Sequence, residues 1–306
     1  MQVILAKPRG FCAGVNRAIA IVHQALEQFA PPVYVLHEIV HNTHVLEELR
    51  SRGAVFVEEL EEIPAGAVTI FSAHGVSRAV AERAQSLGLH TIDATCPLVS
   101  KVHRRMIRLH EQGFDMLVIG HKGHPEVEGT CGQVDGPVHV VSKVEEIAAV
   151  LVRDPEKVGY VTQTTLSVDD TEAMLDAIRH RFPLISEPER TDICYATSNR
   201  QAAVRQLADR VDMVLIVGSK NSSNSNRLRE VARQRQTAAY LIDDAGEIDP
   251  QWLAGVKRVG ISAGASAPEH LVAGVIAWLR QQGPVLVEEM EGGEEHISFV
   301  VPELGH

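Results

Sequence analysis

Short runs of four or five apolar residues punctuate this chain. Each is followed by a polar loop and then by apolar residues at helical spacing. Three such series line up. Helical spacing covers 16–28, 100–112 and 199–210, and each stretch leads to an apolar run at 33–36, 116–119 and 213–217. Polar loops follow at 37–44 (HEIVHNTH), 120–129 (GHKGHPEVEG) and 218–227 (GSKNSSNSNR). A further pair of strands is predicted in each series. The first begins near Val55, Val138 and Ala239; the second lies in 68–77, 158–167 and 259–268, and each of these leads into another helical stretch. Apolar runs this short, separated by amphipathic helices, predict an α/β protein with mainly parallel sheets covered on both faces. The repeating unit is about 90 residues long. The tail from 283 to 306 holds no fourth unit and is expected to pack back as an arm.

Composition narrows this picture modestly. At 306 residues the length suits two or three domains, and 45% apolar content is ordinary for a globular protein. No apolar run approaches the roughly 18 residues of a membrane span, and residues 1–8 read as a first strand rather than a signal peptide. A cytoplasmic location and no membrane partner are the expectations. A net charge of −11 disfavours nucleic acid as a partner. Arg104-Arg105 and Arg227-Leu228-Arg229 read as solvated helix faces. The acidic pairs Glu288-Glu289 and Glu294-Glu295, and the histidines His23, His103 and His110, read as surface.

The cysteines change the picture most. Cys12 (in GFCAG), Cys96 (in DATCP) and Cys194 (in DICYA) each end an apolar run and open a helical stretch, with spacings of 84 and 98 residues. None lies in a CxxC pair, and in a reducing compartment such residues are ligands, catalytic groups or core fillers rather than disulfides. Thiolates are soft ligands suited to iron–sulfur clusters, zinc or cuprous copper. Helix N-termini favour the negative form. Three small buried hydrophobes are the bland alternative. Recurrence in all three series favours a metal, and most of all a four-iron cluster with three Cys ligands and one iron open to a substrate oxygen.

The loops repeat with the cysteines. His41 follows Cys12 by 29 residues, His124 follows Cys96 by 28, and Ser223 follows Cys194 by 29. The later loops carry His74, Thr164-Thr165 and Ser266. Ser222, Ser223, Asn224, Ser266, His41, His74 and His124 offer hydrogen-bond donors, and Gly218 and Gly264 permit close backbone approach. Together they suggest a diphosphate cradle without a P-loop lysine. Each also has a plainer reading, as a helix cap or a satisfied structural histidine. Glu126 is a candidate general acid, or else a helix-start acid. Thr164-Thr165 could hold a substrate hydroxyl or cap a helix.

The segments PRGFCAGV (8–15), HEIVHN (37–42), FSAHGVS (71–77), DATCPLV (93–99), GHPEVEG (123–129), TQTTLS (162–167), ICYAT (193–197), GSKNSSNSNRL (218–228) and SAGASAP (262–268) together resemble the 4-hydroxy-3-methylbut-2-enyl diphosphate reductase family over essentially the whole chain. The resemblance implies three α/β domains in a pseudo-threefold trefoil around a central cluster. Their expected bounds are 14–96, 97–193 and the discontinuous 1–13 plus 194–282, with the arm at 283–306. It implies Cys12, Cys96 and Cys194 as cluster ligands. It places the diphosphate on His41, His74, His124, Ser222, Ser223, Asn224 and Ser266. Glu126, His124 and Thr164 take catalytic roles, with Thr164 near the allylic hydroxyl and Glu126. The implied reaction is the reductive dehydroxylation that ends the non-mevalonate isoprenoid pathway, giving isopentenyl and dimethylallyl diphosphate. No nicotinamide or flavin motif is evident, so a ferredoxin or flavodoxin is the implied electron donor. Cys131 lies outside the three-Cys pattern and is expected to pack as a small apolar residue. A hydro-lyase and a non-enzymatic iron or oxygen sensor are the competing readings of a three-Cys cluster.

Overall fold

The structure, a computed structural model, describes residues 1–305. β1 (Gln2–Leu5) runs towards Cys12, which immediately precedes α1 (Ala13–Gln28). Then come β2 (Val33–Leu36), α2 (Thr43–Ser51), β3 (Ala54–Val57), β4 (Val68–Phe71), α3 (Arg78–Ser86) and β5 (His90–Asp93). Cys96 opens α4 (Pro97–Glu111), followed by β6 (Asp115–Ile119), α5 (Pro125–Cys131), β7 (Val138–Val141), the one-turn α6 (Val144–Ile147), β8 (Val158–Thr162) and α7 (Val168–Arg181). Cys194 opens α8 (Tyr195–Ala208). The chain closes with β9 (Met213–Val217), α9 (Ser223–Gln234), β10 (Ala238–Ile242), β11 (Arg258–Ala263), α10 (Glu269–Gln281) and β12 (Leu286–Glu289).

The strands form three sheets, all parallel, in the orders β10-β9-β11-β1-β12, β3-β2-β4-β5 and β7-β6-β8. The α/β class expected from the pattern is therefore the class observed. Two compact units carry the sheets. The first comprises 1–16, 41–47 and 195–298 and contains the five-stranded sheet. The second comprises 17–40, 48–194 and the tail from Phe299, and contains the other two.

Alternation along the strands explains the layering. In the five-stranded sheet Val3, Leu5, Met213, Leu215, Val217 and Ile261 enter one core, while Ile4, Val214, Ile216 and Leu241 enter the core on the opposite face. In the three-stranded sheet Leu117, Ile119 and Tyr160 face one core, and Met116, Val118 and Val161 the other. Burial on both faces is why β6, β8 and β9 read as unbroken apolar runs rather than alternating ones.

Two features depart from simple repetition. The three-stranded sheet has only an isolated bridge, Gly159 to Ser186, at its β8 edge. Pro183 and Pro188 flank that segment and remove the backbone donors a full strand requires. The tail, expected as an arm, begins with a strand: β12 pairs with β1 from Gln2↔Leu286 to Leu5↔Glu289.

Candidate active site

Three cysteines are held in the same way. The backbone N–H of Cys12 donates to the carbonyl of Ala265 (3.2 Å), that of Cys96 to Ala73 (3.0 Å), and that of Cys194 to Thr164 (3.1 Å). Each acceptor lies two residues beyond the end of a strand: β11, β4 and β8 respectively. Each cysteine directly precedes a helix of 14 to 16 residues. The carbonyls of Cys12 and Cys96 accept the first helical bonds, from Asn16 and Ser100. All three side chains are half-buried. A carbon-anchored thiol at the head of a long helix is a suitable soft ligand, because the helix terminus favours negative charge. Cys131 is different. It packs against the core of Val102, Met106 and Val127, and burial pushes its thiol up to about 11, so it stays protonated. Among the described residues no group of three or more His, Cys, Asp or Glu could hold a metal ion on its own. A cluster differs from a single ion in that each thiolate binds a separate iron, which spaces the sulfurs more widely.

In the second unit, α5 brings the acid to the threonine. Pro125 opens this helix, and the His124 ring caps it, with Nδ1 accepting the N–H of Glu126 at 3.1 Å. That bond places the proton of a neutral ring on Nε2 and leaves Nε2–H as a donor. Glu126 is 3% exposed. Its Oε1 accepts the backbone N–H of Thr164 at 2.6 Å, and its Oε2 accepts the Thr164 hydroxyl at 3.1 Å. Burial pushes Glu126 up to about 7, the Asp192 carboxylate adds to the rise, and the two Thr164 bonds oppose it. Since Thr164 also accepts the Cys194 N–H, Glu126, Thr164 and Cys194 form one hydrogen-bonded chain.

His74 sits edge-on to His124, with ring centroids 5.7 Å apart. This approach depends on glycine. A Cβ at Gly129 would lie 3.0 Å from the Gly75 carbonyl, and one at Gly132 would lie 2.2 Å from Ser77 Cβ. Gln133 welds the contact by donating to the carbonyls of Val76 (2.7 Å) and Gly129 (2.8 Å).

In the first unit, three loops are stitched together. The Ser266 hydroxyl donates to the His41 carbonyl at 2.9 Å, and the Thr43 N–H donates to Ser219 Oγ at 3.0 Å. Asn224 Oδ1 accepts the Ala265 N–H at 2.9 Å, next to the carbonyl that anchors Cys12. Ser222 caps α9, its Oγ accepting from the N–H and the hydroxyl of Ser225. Ser223 is the first residue of that helix. The buried amide nitrogens Asn42 Nδ2 and Asn224 Nδ2 have no protein acceptor. A buried donor without an acceptor is costly, so these suit a bound ligand rich in oxygen.

Several expectations need correction. Gly218 and Gly264 do permit close approach, but to Ser225: a Cβ at either would lie within 2.2 Å of its Oγ. His103 is not a surface residue. It lies against Gly75 and Thr95, and burial pushes it down to about 4. Arg105 is buried, donating to the carbonyls of Tyr160 and Ser186. Glu295 pairs with the fully buried Arg200, which also donates to the carbonyls of Gly10, Phe11 and Ala196. Glu289 pairs with Arg9 but is exposed, in keeping with the surface reading. Residues not singled out from sequence also belong here. Asn42 is one. Gln163 accepts from the His121 N–H and donates to Thr165 Oγ1. Tyr195 accepts the Ala13 N–H beside Cys12. Asp192 is pushed above the usual carboxylate range by burial.

Known proteins are similar to this chain in sequence and fold. A family model described as LytB protein matches residues 3–280. A 4-hydroxy-3-methylbut-2-enyl diphosphate reductase of Pseudomonas aeruginosa is 57% identical over 306 residues, which is 99% of this chain and 98% of that protein. One from Bordetella pertussis is 58% identical over 301 residues, covering 98% and 93%. The solved structure of an E-1-hydroxy-2-methyl-but-2-enyl-4-diphosphate reductase from Plasmodium falciparum superimposes with a TM-score of 0.94 at 35% identity, over 99% of this chain and 95% of that one. No helix among the described residues is long and apolar enough to cross a membrane. With the family model matched over most of the chain and relatives this similar over nearly all of it, the chain belongs to the LytB protein family.

Proposed function

We propose that this chain reduces 4-hydroxy-3-methylbut-2-enyl diphosphate to isopentenyl and dimethylallyl diphosphate. The observation that carries the reading is the hydrogen-bonded chain from Glu126 through Thr164 to Cys194, which puts a buried acid next to one of three equivalently held cysteines. Cys12, Cys96 and Cys194 would hold a four-iron cluster with one iron open. Such a cluster would supply electrons one at a time and a Lewis-acidic iron. His41, His74, His124, Ser222, Ser223, Asn224 and Ser266 would bind the diphosphate, with the unpartnered amide donors of Asn42 and Asn224 meeting its oxygens. We read the chain as three α/β lobes bounded at 14–96, 97–193 and 1–13 plus 194–282, acting in the cytoplasm.

The balance of the reaction sets the demands on the protein. The allylic C–O bond breaks, a C–H bond forms, two electrons and two protons enter, and water leaves. With Glu126 raised to about 7, a large fraction carries a proton at neutral pH. A proton on Oε2 lies one hydrogen bond from the Thr164 hydroxyl, which can pass it to a substrate oxygen held there. Electrons come from an external carrier, a ferredoxin or flavodoxin. The test is anaerobic turnover of the allylic diphosphate with and without a chemical reductant. Both products should form only with reductant. Conversion without it would support a hydro-lyase instead.

A further inference from the structure

The overall acidity of the chain conceals a basic cleft in the second unit. It encloses about 390 Å³ and is lined by Lys101, Arg104, Arg105, Arg108 and Arg190, with Glu189 the one carboxylate in its wall. Several other arginines of this unit are matched by acids: Arg78 with Asp135, Arg153 with Asp115, and Arg179 with Glu187. Among the described residues, Lys101, Arg104, Arg108 and Arg190 form no ion pair. All four are exposed. Unpaired like charges in one cleft repel each other and destabilise the fold slightly, so their clustering calls for an anionic partner.

The position of the cleft identifies that partner. One wall is α4, whose capping residue is Cys96; Lys101 stands about 7.5 Å along the helix from it. The other wall is the segment 188–190, which ends four residues before Cys194. Arg105 ties the two walls by donating to the Ser186 carbonyl at 2.9 Å. A positive surface rigidly joined to two proposed cluster ligands is a short route for an electron arriving from outside.

We propose that this cleft docks an acidic one-electron carrier protein and delivers its electrons past Cys96 and Cys194. The inference rests on the reductase reading above, and gives it a partner surface. Two docking events supply the two electrons of each turnover; the carrier is oxidised by one electron each time, and protons enter separately through Glu126. A small polyphosphate is the other anion such a cleft could attract. The exposed rim charges and the wide spread along α4 favour a protein face, for which charge complementarity governs encounter rate and salt dependence.

The test uses the anaerobic holoenzyme and the double variant Arg104→Glu/Arg108→Glu. Both side chains are exposed, and neither touches the proposed catalytic groups. Turnover with dithionite should be unchanged. With a reduced acidic flavodoxin, the KM for the carrier should rise at least about tenfold at low ionic strength, with the gap closing at high salt. Direct binding of flavodoxin, read by fluorescence anisotropy, should weaken in parallel. Unchanged carrier binding and KM would overturn the proposal. So would pyrophosphate binding that is lost in the variant while flavodoxin binding stays intact. Failure of the parent protein to turn over with dithionite would instead count against the reductase reading, whatever flavodoxin binding shows.

Discussion

Replacing Glu126 by Gln separates its acid chemistry from its packing. The side chain is 3% exposed and its ionisation is raised from an ordinary 4.5 to about 7, chiefly by burial. The folded protein therefore binds this proton more tightly than the unfolded chain does. Stability from this group is complete below pH 4.5 and is lost as pH rises to about 7, a loss of roughly 3 kcal/mol once both states are ionised. Gln keeps the shape and the geometry: its oxygen accepts the Thr164 N–H, and its amide donates to a rotated Thr164 hydroxyl. It never ionises. In urea unfolding of the two holoproteins, Gln and Glu should be equal near pH 4.5, and Gln should be the more stable by up to roughly 3 kcal/mol above pH 7. Turnover should move the other way, falling about 10²–10⁴-fold in the variant. The parent's own rate should decline as pH rises through about 7, because the protonated form is the donor. A stability gap that does not change between pH 5 and pH 8 would refute the buried-acid argument. Wild-type turnover in the variant would refute the proton-donor role.

Other expectations follow from packing. Gly75 has φ +76, and a Cβ there would lie 2.8 Å from His103 Cε1 and 3.1 Å from Thr95 Cγ2. Gly75→Ala should cost more than the ~1–2 kcal/mol of left-handed strain alone and raise the substrate KM by displacing His74. Gly88→Ala, at φ +69 with nothing within 4 Å, should cost only that strain, and thermal unfolding of the pair checks the difference. Arg200→Met strands Glu295 and the Gly10 and Phe11 carbonyls of the Cys12 loop, and should destabilise by about 3–5 kcal/mol in denaturant unfolding. Cys131→Ser should leave iron content unchanged by chemical analysis, whereas Cys12→Ser should lower it.

How much of this was legible in the sequence depended on residue type. The strands, the cysteines and the polar loops could be read because apolar runs, thiols and Ser/Asn/His clusters are chemically distinctive. The anchoring of the cysteines could not. Its acceptors are backbone carbonyls of Ala73, Thr164 and Ala265, and a carbonyl has no signature in the one-letter code. His103 looked solvated because it flanks the apolar stripe Val99, Val102, Met106 and Leu109 on α4, and only the folded 72–77 loop covers it. The basic cleft was invisible because its charges come from α4 and from 188–190, segments some eighty residues apart, neither of which is a basic run by itself. Glu295 looked like surface because its partner, Arg200, is 95 residues away.

We propose that Cys12, Cys96 and Cys194 hold a four-iron cluster with one iron left for the substrate alcohol. Mössbauer spectroscopy of the anaerobically purified protein, with and without the allylic diphosphate, tests this directly. One iron of four should show its own signal, shifted when substrate is added, while the other three stay as they were. Four equivalent irons indifferent to substrate, or a protein that binds no cluster, would contradict it.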